Sequence, residues 1–358
     1  MRLIIACGNL RSGGAERVIS ILSNKFVQRD IEVDLYTWYK TDIFYDFDEK
    51  VKIHQIPIES GKNDFFRQMR WFRQQVVKTN PDVVLSFLAP FNILTVFSII
   101  GLKTPVLVAE RNDPKFVSPS FNGFWKIFRN IAYYMADGVL VQTKVNQSHF
   151  PGYIKKKTTI IYNPVFFSKD KIGIALNQEK RKEIVSVTRL ERQKNVGTLI
   201  DAFAVFLPSH PGYKLIIYGE GAERKALEKK ISDMQLMDSV FLPGRKQNVH
   251  DLIIGAEIFA MASNFEGMSN SLIEAMCLGL PCISTKVSGA TELINSGENG
   301  LLVDLNDSEG MHSALCQLAD DKSKANVMGR KASALYKILD VDVIAEQWLG
   351  YIKNFLFQ

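Results

Sequence analysis

The chain has 358 residues, of which 46% are apolar and 23% are charged. This length suits two domains of ordinary size, and this composition is globular rather than disordered, collagenous or low in complexity. Its four cysteines have apolar neighbours and form no CxxC pair, which indicates free buried thiols in a reducing compartment rather than a zinc site. Residues 1–164 hold 22 Lys and Arg against 14 Asp and Glu, so the excess positive charge lies in the first half and favours an anionic partner.

No stretch of the sequence has the length of a membrane-spanning helix. The apolar run near the N-terminus is too short for the core of a signal peptide, and it is expected to form a first buried strand. The apolar run Phe91–Gly101 is interrupted by polar residues and is too short to cross a bilayer. We therefore expect a cytoplasmic protein.

Apolar strands alternate with helix-length segments along the first half. The predicted strands are Leu3–Cys7, Glu32–Tyr36, Val51–Ile56, Val83–Phe87, Val106–Ala109 and Val139–Gln142, and the helices between them include Ala15–Arg29 and Phe65–Lys78. Continuous Val, Ile and Leu strands separated by helices are typical of a parallel sheet that is covered on both faces.

The same alternation restarts in the second half, after a linker predicted near Asn163–Lys180 that includes the loose polar stretch Ser168–Arg181. The predicted strands are Glu183–Val187, Lys214–Tyr218, Ile258–Met261 and Cys282–Thr285, and the predicted helices are Val196–Phe206, Ala222–Met234 and Asn270–Leu278. The pattern predicts an α/β protein with two doubly wound, Rossmann-like units. Ligands of such sheets bind in the crevice outside the carboxyl ends of the strands.

We therefore expect three segments. Residues 1–164 form one Rossmann-like domain, residues 165–335 form a second, and residues 336–358 form a helical segment, Val341–Phe357, that packs back on the first domain.

The segment from Ser263 to Met276 carries two glutamates at a spacing that suits an elongated ligand. Glu266 and Gly267 follow a predicted strand, Ser269 and Asn270 are favourable helix N-cap residues, and Glu274 lies about one turn into the helix. A diphosphate is expected at the helix N-terminus, on the amides of Asn270, Ser271 and Leu272. One carboxylate then lies beyond each end of the diphosphate, where it can accept hydrogen bonds from hydroxyl groups. The alternatives are that Glu266 is only a charged residue of a surface loop and that Glu274 lies on the solvated face of its helix.

This E-x7-E segment resembles the signature of retaining GT-B glycosyltransferases of family 4, the type that builds capsule, O-antigen or lipid-linked oligosaccharides. Three further segments carry the resemblance: Arg11–Arg17, Thr188–Asn195 and Val287–Glu292. It implies a GT-B architecture with two domains that face each other across a cleft, in which residues 1–164 would bind the acceptor and residues 165–335 the nucleotide sugar. It also implies a nucleotide-sugar donor, with UDP the commonest nucleotide, and no further cofactor.

The resemblance implies roles for individual residues on the donor side. Glu266 would contact the donor sugar, Glu274 the ribose, and Arg189 and Lys194 the diphosphate, where two cations offset the charge of a departing nucleoside diphosphate. Further donor contacts are expected from Gly13, Gly14, Gly219 and Gly221, and from Lys246 in the loop Gly244–Asn248 near the base. No DxD-type metal site is present, so we expect these cations and helix dipoles to act without a metal ion.

The acceptor side is expected at Glu110 and Arg111, which follow a predicted strand. Relatives often carry a histidine where Arg111 stands. Arginine is no base at neutral pH, so Arg111 is expected to bind a phosphate, and Glu110 or Asp113 to accept the acceptor proton. A buried salt bridge between Glu110 and Arg111 is an equal alternative.

The segment Lys62–Lys78 predicts a basic, aromatic, amphipathic helix. Arg67, Arg70, Trp71 and Arg73 are candidates for contact with an anionic membrane surface or with a lipid-linked acceptor, and the aromatic segment Phe116–Phe128 adds to them. Such a contact would place the cytoplasmic protein peripherally on the inner face of the plasma membrane. A core helix with a solvated arginine face is the alternative.

The main hypothesis is therefore the retaining transfer of a hexose or N-acetylhexosamine from a nucleotide sugar to a glycan or polyprenyl-pyrophosphate-linked acceptor. A GT-B-like sugar-nucleotide epimerase is the second. A basic nucleic-acid-binding protein is the third, and it lacks a helix-turn-helix, zinc or RNP-like pattern, so no nucleic-acid partner is expected. A dehydrogenase is disfavoured because Arg224 occupies the third glycine position of the dinucleotide fingerprint.

Overall fold

A computed structural model describes residues 1–57, 65–115, 123–247 and 249–356. The chain forms two compact units: Met1–Pro164 together with Leu339–Gln358, and Val165–Ile338. Four predicted features lie partly outside the described residues. They are the start of the basic segment Lys62–Lys78, most of the aromatic segment Phe116–Phe128, Asn248 of the loop predicted near the base, and Phe357 at the end of the predicted C-terminal helix.

Unit 1 is built on a parallel sheet of seven described strands. They are β1 (Arg2–Cys7), β2 (Glu32–Thr37), β3 (Lys52–Gln55), β4 (Val83–Phe87), β5 (Val106–Ala109), β6 (Gly138–Val141) and β7 (Thr158–Ile160), in the spatial order β3-β2-β1-β4-β5-β6-β7. Helices α1 (Gly14–Val27), α2 (Phe65–Thr79), α3 (Ala89–Ser98), α4 (Gly123–Met135), α5 (Lys144–Ser148) and α6 (Gly152–Lys155) connect them. The strand order doubles back between β1 and β4, as in a doubly wound sheet.

Side chains of β1 contribute to two hydrophobic clusters of unit 1, one on each face of the sheet. Leu3 and Ile5 belong to the cluster that includes α1, and Ile4 and Ala6 belong to the cluster that includes α2, α3 and α4. Successive side chains of a strand point to opposite faces of its sheet, so an uninterrupted apolar strand is stable only when helices cover both faces.

Unit 2 repeats the scheme with six described parallel strands. They are β8 (Arg181–Val187), β9 (Lys214–Tyr218), β10 (Val240–Gly244), β11 (Ala256–Met261), β12 (Cys282–Thr285) and β13 (Leu301–Val303), in the order β10-β9-β8-β11-β12-β13. Its helices are α7 (Asp170–Asn177), α8 (Val196–Phe206), α9 (Arg224–Asp233), α10 (Val249–Ile253), α11 (Asn270–Cys277), α12 (Ser288–Leu293), α13 (Ser308–Asp320) and α14 (Lys322–Ser333), and a 3-10 turn spans Arg192–Lys194. The short helix α15 (Tyr336–Leu339) ends at the first residue of the C-terminal part of unit 1.

The prediction of a loose polar linker over Ser168–Arg181 is wrong, because α7 occupies most of it. The helix is anchored by Ala175, which is fully buried, and by Lys180, whose Nζ donates to the backbone oxygens of Ala175 and Ile254 at 2.8 and 2.9 Å. The polar composition of the segment does not indicate these few anchoring contacts, so the sequence predicts a linker instead of a helix.

The last helix, α16 (Val341–Lys353), packs in unit 1. Trp348 is fully buried, and its ring lies 5.6 Å from that of Phe87. Arg29 donates to Asp342 at 2.9 Å and to Glu346 at 2.7 Å, which ties the outer face of α16 to the end of α1. Within the described residues, no helix combines the length and apolar character needed to cross a membrane.

Candidate active site

A buried ion pair joins two loops at the carboxyl ends of neighbouring strands in unit 2. Lys194 ends the 3-10 turn after β8, and its Nζ donates to Oε1 of Glu266 in the loop after β11. The Ser263 hydroxyl donates to the same oxygen at 2.9 Å. The two charged side chains are only 13% and 10% exposed. Oε2 of Glu266 has no partner among the described residues, so it is the oxygen that a ligand hydroxyl can reach.

Amide side chains fix these two loops against each other. Gln193 Nε2 donates to the Phe265 backbone oxygen at 2.8 Å, and the Asn264 amide donates back to the Gln193 oxygen at 2.8 Å. Asn195 adopts the left-handed conformation at φ 46°, and its Nδ2 donates to Oδ1 of Asn264 at 3.2 Å. Lys194 and Glu266 are therefore held in place by backbone contacts on both sides, which is the condition for a preorganised charged site.

Gly219 and Gly221 are required by the packing of two loops. A Cβ built on Gly219 would overlap the Thr188 carbonyl group, and one built on Gly221 would lie 2.6 Å from the Leu190 carbonyl carbon. The Leu190 amide donates to the Glu220 oxygen at 2.9 Å. The loop after β9 thus packs against the backbone on either side of Arg189. This structural role of the two glycines does not depend on any contact with a ligand.

We expect Gly221→Ala to destabilise the protein by about 1–3 kcal/mol, because overpacking against backbone atoms has no cheap relief. Thermal unfolding monitored by circular dichroism measures the change. Gly197→Ala in α8 is the matched control, since among the described residues its Cβ would meet only Lys230 Nζ, at 3.8 Å. The control is expected to be neutral or stabilising, because alanine favours a helix over glycine. Equal melting temperatures for the two variants would contradict this account.

Glu274 is buried on α11 and paired with a histidine. The carboxylate is 5% exposed, and its Oε2 lies 2.8 Å from Nε2 of His250 on α10. At the start of α11, the Ser269 side chain accepts from the Leu272 amide as the N-cap residue. Ser269 also exchanges a hydrogen bond with Ser271 at 3.1 Å between their hydroxyl oxygens. The alternative of a solvated helix face for Glu274 is therefore wrong.

The two remaining predicted donor cations lie on the surface. Arg189 follows β8 and is exposed, with no ion-pair partner among the described residues. Lys246, in the loop after β10, is also exposed. Both side chains are therefore accessible to a ligand, and neither is fixed in position by burial.

The segment Val287–Glu292 forms the N-terminal part of α12 beside the Glu266 loop. A Cβ built on Gly289 would lie 2.6 Å from the Gly267 oxygen and 2.8 Å from the Met268 Cα. This glycine therefore lets the backbone of α12 touch the segment that leads into α11. The three segments of unit 2 that carry the family resemblance thus lie at the same edge of one sheet.

In unit 1, Glu110 is buried and fully engaged. Its Oε2 accepts from the Tyr133 hydroxyl at 2.8 Å, and its Oε1 accepts from the backbone amides of Arg111 and Asn112 at 3.2 and 3.3 Å. Burial raises the pKa of the Glu110 carboxyl. The described contacts include no side-chain salt bridge between Glu110 and Arg111.

Arg111 is 7% exposed, and no carboxylate of the described residues lies in hydrogen-bond contact with it. It donates to Oδ1 of Asn163, which also accepts from Gln142, and its Nε is buried without a described partner. Burial lowers the pKa of Arg111 to about 9, so the guanidinium stays charged at neutral pH. Nearby, Asp113 Oδ1 lies 2.9 Å from Nδ1 of His149.

Gly13 and Gly14 form the start of α1. Gly13 is the N-cap residue in an extended conformation, and its carbonyl accepts from the Tyr45 hydroxyl at 3.0 Å. A Cβ on Gly13 would lie 2.9 Å from the Glu16 carboxyl carbon, so this carboxylate occupies the space beside the helix N-terminus. A phosphate at this position would have to displace it.

The predicted basic helix is α2, and its arginines differ. Arg67 and Arg70 are exposed, whereas Arg73 is half-buried and donates to the Ser98 and Ile100 oxygens at 3.1 and 2.8 Å. The ring of Trp71 lies edge-on to Tyr36 at 5.8 Å. Arg73 therefore caps the C-terminus of α3, a structural contact that its place in the sequence does not reveal.

The sequence assigns no role to two residues of the candidate site. Ser263 stands three residues before Glu266 without a motif of its own, and His250 belongs to no motif. Their burial beside Glu266 and Glu274 depends on the meeting of β11 with α10 and α11. Sequence spacing alone carries no signal for such a pairing.

Comparison with known proteins assigns the chain to a family. The family described as Glycosyltransferase Family 4 matches residues 12–168, and the family described as Glycosyl transferases group 1 matches residues 168–334. A Campylobacter jejuni N-acetylgalactosamine-N,N'-diacetylbacillosaminyl-diphospho-undecaprenol 4-alpha-N-acetylgalactosaminyltransferase is 30% identical over 96% of this chain and 97% of its own. This chain is a glycosyltransferase of family 4.

Further relatives of this glycosyltransferase cover its whole length. A second Campylobacter jejuni protein, a GalNAc-alpha-(1->4)-GalNAc-alpha-(1->3)-diNAcBac-PP-undecaprenol alpha-1,4-N-acetyl-D-galactosaminyltransferase, is 27% identical over 98% of both chains. Anabaena HepE, solved in complex with UDP, superposes with a TM-score of 0.81 at 18% identity, over 99% of this chain and 100% of its own. Sucrose-phosphate synthase from Thermosynechococcus elongatus superposes with a TM-score of 0.82 at 19% identity. The glycosyltransferase therefore has the GT-B fold that the sequence predicts.

Proposed function

We propose that this glycosyltransferase moves an N-acetylhexosamine or hexose from a UDP sugar, with retention, to a glycan on polyprenyl diphosphate. The observation that carries the proposal is the buried Lys194–Glu266 pair, fixed between two strand ends beside the N-terminus of α11. The Campylobacter relatives are N-acetylgalactosaminyltransferases whose names specify diphospho-undecaprenol acceptors. UDP-N-acetylgalactosamine is therefore the first donor to test.

In this proposal the diphosphate lies between Lys194 and the first turn of α11. The first amides of a helix lack intrahelical acceptors, and with the helix dipole they favour an anion. Lys194 brings a second, fixed positive charge. The exposed Arg189 closes on the diphosphate from solvent, as its unpaired guanidinium allows. Both cations stabilise the charge that develops on the departing UDP.

Glu266 and Glu274 then hold the two hydroxyl-bearing ends of the donor. Oε2 of Glu266 accepts from the sugar hydroxyls, while Oε1 keeps its hydrogen bond from the Ser263 hydroxyl. Glu274 accepts from the ribose hydroxyls, and His250 holds its carboxylate in orientation. Lys246 lies in the loop proposed for the base.

The reaction proposed is a same-face substitution. The bond between the anomeric carbon and the β-phosphate oxygen breaks, the bond to the acceptor oxygen forms on that face, and the acceptor proton passes to the departing phosphate oxygen. No carboxylate is required as a nucleophile, in contrast to retaining glycosidases. Because both oxygens of Glu110 are engaged, we assign Glu110 the role of positioning Arg111, which binds an acceptor phosphate.

The test is a panel of UDP and GDP sugars with a short glycan on undecaprenyl diphosphate, followed by mass spectrometry and proton NMR of the product. We expect one UDP sugar to be consumed and the new glycosidic bond to keep the α configuration of the donor. A β-linked product would contradict retention, and thermal stabilisation by none of the nucleotide sugars would contradict the donor site.

We further expect turnover to be unchanged in excess EDTA, because Lys194, Arg189 and the dipole of α11 supply the positive charge at the diphosphate. A control reaction with a Mg²⁺-dependent transferase shows that the chelator is effective. Loss of activity with EDTA and its recovery with added Mg²⁺ would contradict this part of the proposal.

A further inference from the structure

Helix α4 has an apolar face on each side. Tyr133 and Ala132 are fully buried in the core of unit 1. The opposite side exposes a row of large apolar residues, here called the outer stripe: Ile127 (56% exposed), Phe128 (48%), Ile131 (44%), Tyr134 (63%) and Met135 (42%). Their spacing places them on one helical face. A helix of a globular protein normally presents polar residues there, so the outer stripe needs an explanation.

Neighbouring elements widen the outer stripe. Tyr153 on α6 is 50% exposed, and its ring lies edge-on to Tyr134 at 5.7 Å. Phe97 of α3 lies edge-on to Phe128 at 6.5 Å, and Ile100, just after α3, is 49% exposed. The apolar surface is therefore continuous across three helices, as binding surfaces are, rather than a scatter of single residues.

The helices on this side of the sheet have charges of a single sign. The sequences of α2, α3, α4 and α6 contain no Asp or Glu. Their exposed charged residues are all cations: Arg67, Arg70, Lys78, Lys126 and Lys155. By contrast, α1 and α16, which cover the other side of the sheet, carry Glu16, Asp342 and Glu346. The basic character of the N-terminal half is thus concentrated around the outer stripe.

The length of α4 limits how it can meet a bilayer. Its 13 residues rise by about 20 Å, whereas the hydrocarbon core of a bilayer is roughly 30 Å thick. The buried side of α4 is also committed to the protein core. The helix can therefore only lie in the plane of a surface, with aromatic and aliphatic residues below it and cations beside it.

The positive charges around the outer stripe also disfavour a second copy of the chain as the partner that covers it. An isologous interface would bring the cations around one outer stripe against those of the other, with no carboxylate on these helices to pair with them. An anionic lipid surface supplies the opposite charge and an apolar phase together.

We propose that the outer stripe of α4, with Tyr153 and the surrounding cations, docks unit 1 onto an anionic membrane surface. This inference rests on the proposed function in one respect: a polyprenyl-linked acceptor is presented at such a surface. The contact itself involves no donor or acceptor, so it can be measured without either.

Flotation of the full-length protein with vesicles of phosphatidylcholine, with and without phosphatidylglycerol, tests the proposal. We expect binding to the anionic vesicles, and binding weakened roughly tenfold or more by Ile127→Ser/Ile131→Ser. Lys126→Glu/Lys155→Glu should weaken it to a similar degree and reduce its salt dependence. The matched control is Val205→Ser/Met237→Ser, which changes two comparably exposed residues of unit 2 (62% and 64%).

Three results would overturn the proposal: no flotation of the wild type, flotation unaffected by either stripe variant, or flotation lost equally in the control. A dimer in light scattering that Ile127→Ser/Ile131→Ser abolishes would assign the outer stripe to a second copy instead. Nucleotide-sugar hydrolysis in detergent separates the two proposals. Activity without vesicle binding contradicts only the docking surface, and vesicle binding without activity on any donor contradicts only the proposed function.

Discussion

Replacing Lys194 with alanine is expected to lower kcat/KM for sugar transfer by about 10²–10³-fold, the effect of removing one preorganised group that stabilises developing negative charge. The ammonium group is buried, fixed by the 3-10 turn and aligned on Glu266, so water cannot replace it at low cost. Steady-state kinetics with the preferred UDP sugar measure the change.

The same variant leaves Glu266 buried without its cation, which destabilises a protein by about 3–5 kcal/mol in comparable cases. Lys194→Ala/Glu266→Gln removes both charges and should recover most of the melting temperature without recovering activity. Lys322→Ala is the matched control, because Lys322 pairs with Glu257 at the opposite end of β11. If Lys194→Ala keeps near wild-type kcat/KM, the account of the diphosphate site is wrong.

Glu274→Ala and Glu266→Ala are expected to separate nucleotide binding from sugar transfer. Removing Glu274 should weaken the binding of UDP itself by about 10–100-fold, since hydrogen bonds to charged groups contribute about 1.5–3 kcal/mol. Removing Glu266 should leave the Kd of UDP unchanged or lower it, because Lys194 loses its competing partner. Turnover should nevertheless fall by at least about 100-fold, as the donor sugar is no longer positioned.

Isothermal titration with UDP and kinetics with the UDP sugar measure the two effects. Glu257→Ala is the control for the loss of a buried carboxylate, since Glu257 is 10% exposed and paired at the amino end of β11. It should change stability without changing either binding or turnover. The opposite pattern, with UDP binding lost in Glu266→Ala and retained in Glu274→Ala, would reverse the proposed direction of the donor.

Much of the fold could be predicted from the sequence because its elements are strongly patterned. Val83–Phe87, Lys214–Tyr218 and Val196–Phe206 begin and end where the sequence places them. Buried parallel strands are continuous apolar runs, and their bounds are set by polar residues that cannot enter the sheet. The sequence does not predict helix α7, because its stability comes from tertiary contacts, such as those of Lys180, and not from its own composition.

The candidate site was predictable only in part. The E-x7-E spacing located Glu266, Glu274 and the α11 N-terminus, because a strand, a loop and a capped helix follow one another in sequence. The partners of these residues come from other segments. Lys194 reaches Glu266 across 72 residues, and His250 reaches Glu274 across 24, so no local pattern could show which pairs form.

A structure with UDP bound tests the central claim most directly. The account predicts the β-phosphate within hydrogen-bond distance of Lys194 Nζ and the first amides of α11, with both ribose hydroxyls on the Glu274 carboxylate. A nucleotide bound elsewhere in the protein, with the Lys194–Glu266 and His250–Glu274 pairs undisturbed, would contradict it.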